Sequence, residues 1–264
     1  MRTLAVHGIR LAYVDEGSGP PVVLVHGFPL DHAMWDAQVE ALKDRCRVIV
    51  PDLRGFGRSD VTEGTVTMEQ FADDVAGLLD ALGVGEPVVL AGLSMGGYVA
   101  FQFFRRHRGR LRALVLCDTR AGADTPQAAA VRRETAENVL REGPDSLAEN
   151  MPDKLLAAAT LRDRPELGES LRRVIANSDP RGIAAASLGM AERPDVTAML
   201  PEIDCPTLVV VGREDAISPP DEMRRIAAAI PGARLVEVPD AGHMSPMENP
   251  AAVNAALREF LASL

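Results

Sequence analysis

Cysteine is scarce in this chain of 264 residues, and the three present build no disulfide framework. Cys46, Cys117 and Cys205 are odd in number, widely spaced and set in or beside apolar runs, so they read as small core residues. No apolar run approaches membrane-spanning length. The start, Met1-Arg-Thr-Leu-Ala-Val-His7, has neither the apolar stretch nor the cleavage site of a secretory signal. Positive charge is also short: 28 Lys and Arg against 38 Asp and Glu leave a net charge of −10. That balance argues against nucleic acid or an anionic membrane as the main partner. The five histidines show no metal-ligand spacing. No repeat and no linker interrupts the chain. What remains is the expectation of a soluble cytoplasmic protein, long enough for one large α/β domain or two small ones.

What is present is an alternation of short valine-rich runs with amphipathic stretches. Leu4 and Val6, then Ile9, Leu11 and Tyr13, alternate across His7-Gly8 and predict an antiparallel hairpin at a sheet edge. Strands are predicted at Val22–Val25, Arg47–Val50, Pro87–Ala91, Ala113–Cys117, Thr207–Val211 and Arg234–Val238. Helices fall between them, opened by Asp31, by the capping box Thr67-Met-Glu-Gln70, by Ser218-Pro219 and by Asn249-Pro250. This pattern gives a mostly parallel, doubly wound sheet covered on both faces. It breaks once. Residues 121 to 202 read as helices without a strand, and contain no Phe, Tyr, Trp or His. They form a predicted cap, inserted after the sixth strand and above the sheet edge where open α/β folds bind ligands. The core is then residues 1 to 120 and 203 to 264.

The chain is organised around Gly92-Leu-Ser94-Met-Gly96-Gly97. A buried strand precedes it and an apolar helix follows, so Ser94 sits at the apex of a tight strand-to-helix turn that small neighbours permit. A serine hydroxyl needs a base to become a nucleophile, and His243, after the last strand, lies at the same sheet edge. The imidazole needs an acid to fix its tautomer. Asp215, ending Gly212-Arg-Glu-Asp215, is the first choice, with Glu214 and Asp118 as rivals; Asp118 also follows a strand.

The order Ser94, Asp215, His243 is that of the α/β-hydrolase fold, and the chain resembles that family from end to end. The matching stretches are His26-Gly27-Phe28-Pro29, Asp52-Leu-Arg-Gly55-Phe-Gly57-Arg-Ser59, Gly92-Leu-Ser94-Met-Gly96-Gly97, Gly212-Arg-Glu-Asp215 and Gly242-His243. The resemblance implies an oxyanion hole from the backbone N–H groups of Phe28 and Met95, with His26 and Asp52 holding the loops. It implies no cofactor and no metal. Gly55-Phe-Gly57 is not a dinucleotide loop, because no third glycine and no apolar helix follow.

Within the family the chain is most similar to small carboxylesterases, cofactor-free haloperoxidases (perhydrolases) and 3-oxoadipate enol-lactonases. The implied activity is a serine hydrolase for esters of small to medium acyl chain, with a small-molecule ester or lactone as partner. A monomer and a homodimer both fit. Ser94 removes the relatives that use an aspartate nucleophile, and a complete triad weighs against a purely ligand-binding protein on this fold. With no aromatic residue in the cap, pocket walls are expected from Phe28, Trp35, Tyr98 or Phe56, beside Pro29. Arg120 is a candidate cation for an anionic lactone. Pro29, which restricts Phe28, either only shapes the loop or turns its carbonyl toward the acyl-enzyme and favours perhydrolysis, as the resemblance to haloperoxidases implies.

Overall fold

The computed structural model describes residues 1–264. Strands β1 (Arg2–Val6) and β2 (Ile9–Gly17) form the expected edge hairpin, pairing Val6 with Ile9 across a two-residue turn. Both turn residues, His7 and Gly8, have positive φ, the conformation that matches the twist of the strands. The remaining strands are β3 (Pro21–Val25), β4 (Arg47–Pro51), β5 (Val88–Leu93), β6 (Leu111–Cys117), β7 (Thr207–Gly212) and β8 (Arg234–Val238). They lie in one eight-stranded sheet of order β1-β2-β4-β3-β5-β6-β7-β8. Only the pairs made by β2 are antiparallel.

Helices α1 (Asp36–Leu42), α2 (Met68–Ala81) and α3 (Met95–His107) follow β3, β4 and β5. After the sixth strand come α4 (Pro126–Glu142), α5 (Asp145–Asn150), α6 (Pro152–Leu155), α7 (Ala158–Asp163), α8 (Pro165–Ala176) and α9 (Pro180–Ala191). Helix α10 (Pro220–Ala229) then follows β7, and α11 (Ser245–Glu248) and α12 (Pro250–Ala262) follow β8. Thr67, Thr125, Asp179 and Asn249 each accept a backbone N–H with the side chain, as N-caps do.

Successive strand residues point to opposite faces, and they enter two separate cores. Val23, Val25, Leu90, Leu116 and Val211 pack with Phe71, Val75, Phe101 and Met223 from α2, α3 and α10. Val22, Leu24, Ala91, Val115 and Val210 pack with Leu42, Val253, Leu257 and Phe260 from α1 and α12. That is the period-2 signature of a strand buried on both faces. Neighbouring strands β3 and β5 therefore send their connections to opposite faces, α1 to one and α3 to the other. In open α/β sheets ligands bind beyond the strand ends where neighbouring connections part in this way. Ser94 stands at that point, between β5 and α3.

The helical insertion docks above that edge through small residues of α9. A Cβ on Gly189 would lie 1.8 Å from the Val66 carbonyl oxygen, and one on Gly182 would lie 1.9 Å from that of Gly55. Between them Val66 N–H donates to Ala185 O at 3.1 Å. Gly189→Ala is expected to force this backbone seam apart and to destabilise the fold by about 1–3 kcal/mol. Thermal unfolding checks it: an unchanged melting temperature would mean that the seam yields freely.

Candidate active site

Ser94 follows β5 directly and stands at φ 54°, ψ −111° as the residue before α3. A non-glycine residue there is strained, and the structure holds it from both sides. Ser94 N–H donates to Cys117 O at 2.9 Å, while Ser94 O accepts from Gly97 N–H at 2.9 Å and from the Thr119 hydroxyl at 2.8 Å. The turn closes only because Gly96 lacks a side chain, since a Cβ there would lie 2.3 Å from Val25 O. Ser94 is partly exposed, and the only bond from a side chain that it enters is the one its backbone carbonyl accepts from Thr119.

His243 lies in the loop after β8, and its Nδ1 is 2.9 Å from Asp215 Oδ2. Both residues are buried. The other carboxylate oxygen, Oδ1, accepts from Ile217 N–H at 2.8 Å and Ser218 N–H at 2.9 Å, so Asp215 is fixed as an acceptor. Nδ1 must then carry the proton, and Nε2 keeps a free lone pair. Of the two rival acids, Glu214 is exposed and makes no bond to the histidine.

Asp118 is buried but turned elsewhere. Its Oδ1 accepts from Gly212 N–H at 2.8 Å, and its Oδ2 meets the Ser245 hydroxyl at 2.5 Å. Burial, then the charge of Asp215, pushes the Asp118 carboxyl well above the ordinary carboxylate range; its two hydrogen bonds offset only part of this. A group that holds its proton in the folded state and loses it in the unfolded one stabilises the fold at low pH. That contribution drains away as pH rises from the unfolded value of about 4 toward the folded one. Asparagine mimics the protonated carboxyl and tolerates the positive φ of this position. Asp118→Asn is therefore expected to be neutral near pH 4 and stabilising by pH 7. Melting curves at the two pH values test this, and an equal shift at both would contradict it.

The loop after β3 lies beside the elbow: a Cβ on Gly27 would be 3.5 Å from Ser94 Cβ. Gly27 O accepts from Leu30 N–H and from His26 Nδ1–H, both at 3.0 Å. A trans peptide points its N–H opposite its C=O, so these bonds also aim the Phe28 N–H. Neither Phe28 nor Met95 donates its N–H within the protein. His26 Nε2 accepts from Leu53 N–H at 2.9 Å, which requires a neutral ring, and burial holds its pKa below the ordinary histidine value. Asp52 accepts from His32 N–H, His32 Nδ1 and Arg58 N–H. Burial opposes its ionisation, but these bonds win and keep its pKa low. Asp31, His32 and Asp52 bring ligand-type atoms within 4.8 Å of one another, yet Asp52 is already saturated by these donors.

Two aromatic expectations are corrected. Trp35 has none of its surface exposed; it packs with Leu24, Leu30 and Met34 in the core beneath α1. Phe56 is likewise buried, edge-on to His26 and Phe28. Tyr98, one turn beyond Ser94, keeps 5% of its surface and lies 4.2 Å beneath the Arg193 guanidinium. Phe28 keeps 9%, and Pro29 is buried beside it. Arg120 is not a free cation: it donates to Ile217 O and faces Glu222. Sequence reasoning missed Thr119, Ser245 and Glu248, which support the elbow and the histidine loop. Their signal is three-dimensional, since each is a common polar residue in a loop or a short helix.

The sheet order, the strained serine and the His243–Asp215 pair all sit on one edge, and the alpha/beta hydrolase fold family matches residues 20–250. The chain belongs to the alpha/beta hydrolase family. This hydrolase is 56% identical to a thermophilic esterase from Thermogutta terrifontis solved with malate bound. That alignment covers 99% of this chain and 96% of the esterase, with a TM-score of 0.96. It is 32% identical to an enol-lactonase from Burkholderia xenovorans LB400, over 99% of this chain and 100% of that one, with a TM-score of 0.92. A bromoperoxidase from Bacillus anthracis is 25% identical over 96% of each chain, with a TM-score of 0.86. No helix of this hydrolase is long and apolar enough to cross a membrane.

Proposed function

We propose that this hydrolase is a serine carboxylesterase in which Ser94 is the nucleophile, His243 the general base and Asp215 the acid that orients it. The 2.9 Å bond from His243 Nδ1 to Asp215 carries the reading, because it leaves Nε2 ready to take a proton. His243 removes the Ser94 proton as the hydroxyl oxygen attacks the ester carbonyl. The unspent N–H groups of Phe28 and Met95 stabilise the oxyanion of the tetrahedral intermediate. His243 returns its proton to the leaving alcohol, and an acyl-enzyme remains. Water, deprotonated by His243, attacks it and releases the acid.

Short to medium acyl chains suit the site. The insertion brings no aromatic residue, and the nearby aromatics offer little surface to each added methylene, worth about 0.8 kcal/mol when fully buried. The test is kcat/KM over p-nitrophenyl esters of rising chain length, run beside aliphatic lactones. A maximum below about ten carbons is expected; efficiency still climbing beyond that overturns the chain-length reading. Lactone opening is the second reading, supported by the likeness to an enol-lactonase. Arg120 gives it no help, being engaged already. Peroxide in place of water at the acyl-enzyme would give the perhydrolysis that Pro29 suggests, and monochlorodimedone bromination measures it.

A further inference from the structure

A carboxylate that the proposed chemistry does not use lies under the histidine loop. Glu248, at the end of α11, is 3% exposed, and four donors converge on it from two directions. Its Oε1 accepts from Gly242 N–H at 2.8 Å and Met244 N–H at 3.2 Å, the two residues flanking His243. Its Oε2 accepts from Ala157 N–H at 2.8 Å and the Thr160 hydroxyl at 2.7 Å, both in the helical insertion where α6 gives way to α7. The two segments also bond directly: His243 N–H donates to Leu155 O at 2.9 Å and Met244 N–H at 3.2 Å. Arg164 of the insertion closes the arrangement by donating to Glu248 O at 2.6 Å.

We infer that Glu248 is a positioning residue that clasps the His243 loop to the insertion, so that the imidazole holds its working orientation only while the insertion is seated. The inference rests on the reading of His243 as the base. Backbone amides bonded to one carboxylate oxygen cannot rotate independently: Oε1 holds the Ala241–Gly242 and His243–Met244 peptides, and the Gly242–His243 peptide between them donates to Leu155 O of the insertion. The insertion in turn packs too closely to shift alone. A Cβ on Gly242 would lie 2.7 Å from Ala157 N, so backbone rests on backbone at this point. Each donor here requires an acceptor, and a carboxylate supplies acceptors on both sides. Glutamine cannot: its NH2 must face either the His243 loop or Ala157. A loop residue that sets the base within a few tenths of an ångström acts on the transition state, because misplacement by about 1 Å can cost about a hundredfold in rate.

Two variants test the clasp. Glu248→Gln is expected to lower kcat about ten- to a hundredfold with KM nearly unchanged. It should also broaden or shift the downfield proton resonance of His243 Nδ1–H, which needs no substrate to be seen. Thr160→Val, of similar shape, lies on the insertion, and the Thr160 hydroxyl bonds Glu248 and Arg164; a smaller drop in kcat and the same direction of resonance shift are expected. The double variant should be no worse than Glu248→Gln alone, since both cut one connection. A parental resonance and kcat in folded Glu248→Gln, whatever its melting temperature, would reduce Glu248 to a structural residue. A parental resonance in Thr160→Val, or additive losses in the double variant, would sever the insertion from the base. Failure of the triad reading looks different: Ser94→Ala would stay active while the resonance still responded to Glu248→Gln.

Discussion

Ser94→Ala is expected to abolish ester turnover, lowering kcat by about 10⁴- to 10⁶-fold while leaving the fold intact. Only the hydroxyl oxygen is removed, and the bonds that hold this turn run through the Ser94 backbone, which alanine keeps. The strain at φ 54° is the same for alanine as for serine. What survives is the residual catalysis of binding and of the oxyanion N–H groups. Initial rates with p-nitrophenyl butyrate on both proteins give the comparison, alongside labelling by phenylmethylsulfonyl fluoride. One label on the peptide containing Ser94 is expected. An alanine variant with a tenth of the parental rate, or stoichiometric labelling elsewhere, would remove Ser94 from the mechanism.

Asp215→Asn should be nearly as damaging, with kcat lower by about 10⁴-fold, and the hydrogen bonds say why. Ile217 N–H and Ser218 N–H both demand an acceptor at Oδ1, so the new side chain must offer them its carbonyl oxygen. Its NH2 then faces His243 Nδ1, which has to become an acceptor. The ring proton moves to Nε2, where the base should be free. Asp118→Asn carries no such consequence, because an amide can accept from Gly212 N–H and donate to Ser245. Its kcat should stay within about threefold of the parent. Steady-state rates on the two variants separate the acids, and reversed effects would hand the role to Asp118.

Much of the fold is legible in the sequence, for a local reason. Valine-rich runs such as Arg47–Val50 and Thr207–Val211 can only be strands buried on both faces, and caps such as Thr67 and Asn249 mark helix starts without reference to the rest of the chain. The eight strands, the hairpin at one edge and the helices after the sixth strand follow from that alternation, whereas the crossing of β3 and β4 in the strand order does not. The residues around Ser94 and His243 are legible because each ends a strand, and parallel strands deliver their ends to one edge. The aromatic pocket walls were not. Trp35 and Phe56 carry the same chemistry whether they line a cavity or fill a core, and only the packing of α1 and of the His26 loop decides. Glu248 was invisible for a similar reason. A glutamate before Asn249-Pro250 looks like a solvated helix start, and its four donors come from segments up to 91 positions away.

Every group assigned to the chemistry hangs from the ends of β3, β5, β7 or β8, at one rim of the sheet. The opposite rim is made of turns that enter strands. A Cβ added at Gly85, Gly109 or Gly232, which precede β5, β6 and β8, would meet no atom within 4 Å. The molecule is thus two-ended, with its chemistry on one end and open backbone positions available on the other. A tether, a fused domain or a solid support joined there would be separated from Ser94 by the length of the sheet, and would leave the rim that carries the chemistry unobstructed.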